Sequence, residues 1–222
     1  GQGKTNLLEA IYLLGTLRSF RESKTKGLIA WEARDAFVRG DVQRGGVTRA
    51  LAVELAQKGR KAMKDGKLVR RLYDYFGHLH VVVFSPEDLS LTKGSPSERR
   101  RFVDRAIFHV VPAYFEERRA FQTALQSRNK LLKQAFVAGG DVALFESFDM
   151  TLCQCAAKVL WRRLQFIERF QEVFAATFQE ITDSTHTIEL RYDGPLTALL
   201  PETELVTLYA GLLDDSRRAD FN

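Results

Sequence analysis

Cysteine is nearly absent: Cys153 and Cys155 are the only two in 222 residues, one residue apart in a stretch with helical spacing. That spacing points their side chains to different faces of a helix, so neither a disulfide nor a shared metal is expected. The four histidines, His78, His80, His109 and His186, are scattered and lack metal-ligand spacing with the cysteines, and no zinc site is expected. No Ser–His–Asp or Cys–His arrangement suggests a nucleophile. No apolar run reaches membrane-spanning length and nothing has the build of a signal peptide, so the expectation is a reducing, cytoplasmic setting with no membrane partner. The 45% hydrophobic content suffices to bury a core in one large domain or two lobes. An excess of 33 Lys and Arg over 28 Asp and Glu gives a net charge of +5, which favours a polyanionic partner such as nucleic acid.

The first residues carry the chemistry. Gly1-Gln2-Gly3-Lys4-Thr5 matches the last five positions of G-x-x-x-x-G-K-[ST]. The opening glycine and two further residues are expected upstream, which makes the chain a fragment. Gly1 and Gly3 let backbone N–H groups approach phosphate oxygens where a β-carbon would intrude. Lys4 sets a positive charge against the β- and γ-phosphates of ATP, and the Thr5 hydroxyl ligates the bridging Mg2+. The following helix adds its N-terminal dipole, and Leu7, Leu8, Ile11, Tyr12 and Leu14 have the spacing of a buried helix.

More than a generic P-loop is present. The run Gly1-Gln2-Gly3-Lys4-Thr5-Asn6-Leu7-Leu8-Glu9-Ala10-Ile11-Tyr12 resembles the start of the RecF family. Leu17-Arg18-Ser19-Phe20-Arg21 is similar to that family's arginine-containing turn, and Val83-Phe84-Ser85-Pro86-Glu87-Asp88-Leu89 to its F-x-P-E-D-L block. Lys93-Gly94-Ser95-Pro96 through Arg99-Arg100-Arg101-Phe102-Val103-Asp104 resembles its G-x-P-x-x-R-R-x-F-x-D, and Arg217-Arg218-Ala219-Asp220 the approach to its signature motif. The resemblance implies an α/β fold of the ABC/SMC-head type: a P-loop lobe with a mixed sheet, followed by a helical lobe. Residues 1–90 would form the nucleotide-binding lobe, 91–182 the helical lobe, and 183–222 a return toward the first. It also implies nucleotide binding by Gly1, Gln2, Gly3, Lys4, Thr5 and Asn6, with Mg2+ held through Thr5. ATP would be sandwiched in a homodimer that clamps double-stranded DNA beside gaps. RecR and RecO would be partners and RecA loading the outcome. The signature and Walker B motifs are expected beyond Asn222, so the intact protein would be a weak DNA-dependent ATPase and this stretch inactive. Another SMC-like head or a P-loop small-molecule kinase are the alternatives; the first needs long sustained heptads, the second a substrate pocket and lid.

Elsewhere, Phe37–Arg44 and Thr48–Leu55 read as a hairpin around Gly45-Gly46. Lys58, Arg60, Lys61, Lys64, Lys67, Arg70 and Arg71 form a basic cluster suited either to a solvated face or to DNA phosphates. Val81–Phe84 reads as a buried strand entering a hinge similar in place to a Q-loop, where Glu87 or Asp88 would approach the metal or its water. Helical spacing from 96 to 136 and from 141 to 178, broken at Gly139-Gly140, predicts two long helices, with a cap at Ser97. Thr187–Tyr192 alternates as a strand, and Leu205, Leu208, Tyr209 and Leu212 predict an amphipathic helix.

Overall fold

The computed structural model describes residues 3–57, 59–84, 88, 90–138, 142–183 and 185–220. Strands Asp35–Arg44 (β1) and Val47–Ala56 (β2) pair antiparallel, with Arg44 opposite Val47. Between them Gly45 and Gly46 hold φ of 54° and 77°. A tight two-residue turn needs both values positive, which β-carbons resist. A second hairpin joins Gly59–Lys64 (β3) to Lys67–Leu68 (β4), and the four strands lie in the order β1-β2-β3-β4, all antiparallel. Leu51, Val53 and Leu55 on one face of β2, with Ala62 of β3, are buried.

Helix Lys4–Thr16 (α1) brings Leu13 and Leu14 into this core. It approaches closely because Gly40 of β1 has no side chain: a β-carbon there would sit 2.9 Å from Leu14 Cδ1. The expectation of a helix buried along its length is corrected. Tyr12, Leu13 and Leu14 are buried, with Leu14 against Gly40 of β1, whereas Leu7, Leu8 and Ile11 are exposed. The expected strand Val81–Phe84 is also corrected. Val81 lies against Gly15 of α1, but the segment forms no strand ladder and Val82 and Phe84 are exposed. An apolar run becomes a strand only with a neighbour to bond, and the described residues offer it none.

A short helix, Ser90–Lys93 (α2), precedes Pro96–Val110 (α3). The cap of α3 is Ser95, not Ser97: the Ser95 N–H donates to Glu98 Oε2 at 2.6 Å, and Pro96 occupies the first turn, where it loses no helical bond. Pro112 breaks the long helix expected from 96 to 136, with Val111 driven to φ −128°, ψ 85°. Near the end of α3, Phe108 packs edge-to-face on Phe76 at 4.1 Å, and the His109 ring lies 6.0 Å from that of His80. Burial, then His80 and then Arg105, push the His109 pKa below its ordinary 6.5. The unfolded chain therefore binds the proton more readily, and stability is lost as pH falls through 6.5 toward the lowered value. Denaturant midpoints measured at about pH 5.5 and about pH 7.5 should differ less in His109→Gln than in the wild type.

Gly1–Pro112 and Ala113–Asn222 form separate compact units. In the second, Tyr114–Ala138 (α4) packs on Val142–Thr182 (α5), and Glu202–Asp220 (α6) packs on α5. Arg162 grips Glu117 through two bonds of 3.0 and 2.9 Å, and Arg128 on α4 pairs with Asp149 on α5. The buried core of Ala157, Leu160, Leu164 and Leu205 gathers Tyr192, Leu196 and Tyr209. Helix α6 is thus amphipathic as expected, with Leu205 fully buried. Cys153 is buried while Cys155 is half-buried, as their spacing implied. Residues Thr187–Tyr192 form no strand, correcting that reading. Their backbone bonds go instead to one side chain of α5: Gln171 Nε2 donates to Ile188 O at 2.9 Å, and the Leu190 N–H donates to Gln171 Oε1 at 2.6 Å.

Candidate nucleotide-binding site

Gly3 caps α1 from a left-handed conformation, φ 110° and ψ −18°, and its carbonyl accepts the first helical bond from the Leu7 N–H at 2.9 Å. A glycine cap has no side chain to occupy the N–H groups of the first turn, so those of Lys4, Thr5 and Asn6 point outward from an exposed helix end. The end presents partial positive charge from the helix dipole, one ammonium and one hydroxyl. That donor set fits phosphate oxygens and, at Thr5, a hard cation. Gly1 and Gln2 lie outside the described residues.

A second layer supports the first turn. At the far end of α1, Leu17 is left-handed and donates its N–H to Leu13 O at 2.8 Å. The chain then folds back, placing Phe20 edge-to-face on Tyr12 at 5.5 Å. Ser19 Oγ accepts the N–H groups of Arg21 (2.9 Å) and Glu22 (2.8 Å) and donates to Glu9 Oε1. Arg21 reaches Glu9 Oε2 at 3.5 Å and donates to Asn6 Oδ1 at 3.3 Å. The turn singled out in the sequence therefore orients Asn6, next to Thr5. Glu9, the linking carboxylate, was not anticipated; its only signal was its position one helical turn after Thr5.

The basic cluster is distributed by strand alternation. Arg60 points to the core side of the sheet, donating to Thr25 Oγ1 at 3.1 Å and to the Leu17 carbonyl at the end of α1. Burial, and secondarily Arg18, lower its pKa. Lys61 pairs with Glu54 at 2.8 Å, and Lys64 donates to Asp74 O at 2.9 Å. Arg71 donates to Tyr73 Oη at 2.8 Å, while Lys67 and Arg70 are exposed. Lys58 and Glu87 lie outside the described residues, and Asp88 is half-buried. Among the described residues no group of His, Cys, Asp and Glu could hold a metal, and no helix is long and apolar enough to cross a membrane.

No family model matches the chain. Among curated proteins, the DNA replication and repair protein RecF of Geobacter sp. strain M21 is 40% identical over 192 residues, 86% of this chain and 51% of that protein. That of Citrifermentans bemidjiense is 39% identical over 221 residues, 99% of this chain and 58% of that protein. The chain thus spans about half the length of these relatives. Two solved structures of the recombination mediator protein RecF in the RecFOR pathway, RecF-ATPrS and RecF-ATP, superpose with TM-scores of 0.91 and 0.89 at 28% identity. Each match covers 99% of this chain and 60% of the other. Fold and site together define an ABC/SMC-type P-loop ATPase head. Over the stretch it spans, the chain belongs to the RecF family.

Proposed function

We propose that this chain is the nucleotide-binding part of an ATP-dependent DNA-binding protein of replication and repair. The observation that carries the reading is the open helix end Gly3–Asn6, exposed and braced from behind by Glu9, Ser19 and Arg21. ATP supplies the phosphates that this end binds and the phosphoryl group to be transferred. Gly3 leaves room for them, the N–H groups of Lys4, Thr5 and Asn6 donate to their oxygens, and the Lys4 ammonium offsets their charge. Thr5 Oγ1 would hold Mg2+, and Gly1 and Gln2 are assigned to the same phosphates by their place in the motif.

In this reading residues 1–90 are the nucleotide-binding lobe, 91–182 the helical lobe and 183–222 the return segment. ATP binding closes a homodimer as a clamp on duplex DNA beside single-strand gaps in the cytoplasm. The named relatives and the RecFOR pathway of the matched structures support RecR and RecO as partners, with RecA loaded downstream. Glu87 and Asp88 are candidates near the metal, and slow hydrolysis, stimulated by DNA, resets the clamp. The test is duplex affinity of the intact protein with and without ATP and Mg2+. A gain with nucleotide supports the reading, and equal affinity in both conditions sinks it.

A further inference from the structure

The buried face of the sheet ends in a cluster of cations. Strand alternation and register, which pair Val42 with Arg49, Arg44 with Val47 and Leu51 with Lys64, set Arg44, Arg49 and Lys64 on the same face as the core residue Leu51. Beyond Leu51 this face turns mixed, with Arg44 and Arg49 set among Val42 and Val47. Gly77 and His78 lie across from it, and Val42, Arg44, Val47, Arg49, Gly77 and His78 line a cleft of about 270 Å³, with Lys64 at its edge beside His78. That volume suits a small anion better than a drug-sized ligand.

Arg44 and Lys64 are held in place by backbone carbonyls rather than by carboxylates. Arg44 Nη1 donates to the Gly77 carbonyl at 3.2 Å. Lys64 Nζ donates to the Asp74 carbonyl at 2.9 Å and lies 3.4 Å from His78 Nε2. A carbonyl fixes a side chain but carries no charge to cancel it, and a guanidinium with one bond made keeps further N–H donors in its plane. Arg49 is paired with a carboxylate, Asp65 Oδ2 at 2.9 Å, whose other oxygen accepts the Ala50 N–H at 3.0 Å, so of the three cations it alone has its charge offset by an ion pair. Lys64 also faces Lys67 across the β3–β4 turn, a like-charge pair that costs stability where it stands. Three fixed cations, with Lys67 beside them and one acid among them, make a poor device for holding a sheet together and a good one for gripping phosphate.

We propose that Arg44, Arg49 and His78, with Lys64 at the edge, form a phosphate-binding cleft that shares no residue with the Gly3–Asn6 site. Its ligand is a phosphate group, supplied by the DNA backbone or by free phosphate. The DNA form rests on the function proposed above. The cleft would then be the place where the first unit meets the duplex, and Lys64, paired with Lys67, is the member of the expected basic cluster that adjoins it.

The experiment titrates the full chain with labelled duplex over a salt series, in ATP and Mg2+, and separately with inorganic phosphate followed by 31P line broadening. Four proteins are compared: wild type, R44Q/R49Q, V47E and R39Q. Val47→Glu brings a carboxylate into the cleft while keeping every cation, and Arg39 is an exposed residue on the opposite face of β1. If the cleft grips DNA, R44Q/R49Q lowers the salt slope by about 1.8, roughly 0.9 per lost phosphate contact, which is about 60-fold in affinity near ~0.1 M salt. V47E weakens binding in the same direction and R39Q leaves the slope alone. Loss of inorganic phosphate binding with duplex affinity unchanged keeps the cleft and assigns it free phosphate. If folded R44Q/R49Q and V47E match the wild type in both titrations, the cleft is refuted. Should R44Q/R49Q fail to fold, V47E alone decides. A wild-type chain that ignores duplex altogether refutes the proposed function and leaves the phosphate arm to judge the cleft.

Discussion

Lys4→Met is expected to weaken ATP binding about 10- to 150-fold, because a hydrogen bond to a charged group contributes roughly 1.5–3 kcal/mol and each 1.4 kcal/mol is tenfold. The ammonium is the single full positive charge on the exposed first turn of α1, where the remaining donors are backbone N–H groups with partial charge. Methionine keeps the length and helix propensity of the side chain, so α1 should stay intact while the charge is lost. The same substitution should abolish any strengthening of duplex binding by ATP. Nucleotide titration by calorimetry checks the first expectation, and duplex titration with and without ATP checks the second. Unchanged ATP affinity in Lys4→Met would mean that the phosphates are held somewhere other than this helix end.

The second large effect lies in the helical unit. Asp149→Ala should destabilise it by about 3–5 kcal/mol, because the substitution strands the Arg128 guanidinium in a site where both partners are only 11% exposed. Removing both charges is a different matter. Arg128→Met with Asp149→Leu fills similar space with apolar groups and should come within about 1 kcal/mol of the wild type or exceed it. Urea midpoints of the three proteins distinguish the cases. A mild Asp149→Ala would show that water reaches Arg128 easily and that this pair does not lock α4 to α5.

Local rules made part of this protein legible in its sequence. Gly45-Gly46 revealed the first hairpin because only glycine tolerates two successive positive φ values in so short a turn. The P-loop was readable because its chemistry restricts residue type at each position, and α6 because Leu205 and Tyr209 repeat at helical spacing. Strand readings failed where pairing depends on a neighbour that local pattern does not specify. Val81–Phe84 is apolar and Thr187–Tyr192 alternates, yet neither meets a strand, and a glutamine side chain serves the second. The break at Pro112 was within reach of a simple rule, since a proline disfavours the helical conformation of the residue before it. The basic cleft lay beyond local reading: Arg44, Arg49 and His78 are spread over 35 positions and converge through sheet register and the segment that carries His78 past it.

Arg60 and Arg21 together give α1 a mechanical role. One arginine, rooted in β3, clasps the carbonyl at the tail of the helix; the other, on the returning turn, clasps its head through Asn6 and Glu9. A rod gripped at both ends does not absorb a push at its tip by bending. It passes the displacement to whatever anchors it, and here the anchor is the sheet that carries both hairpins. Were a phosphate to displace the head of α1, the Arg60–Leu17 contact is the link through which β3 would feel it.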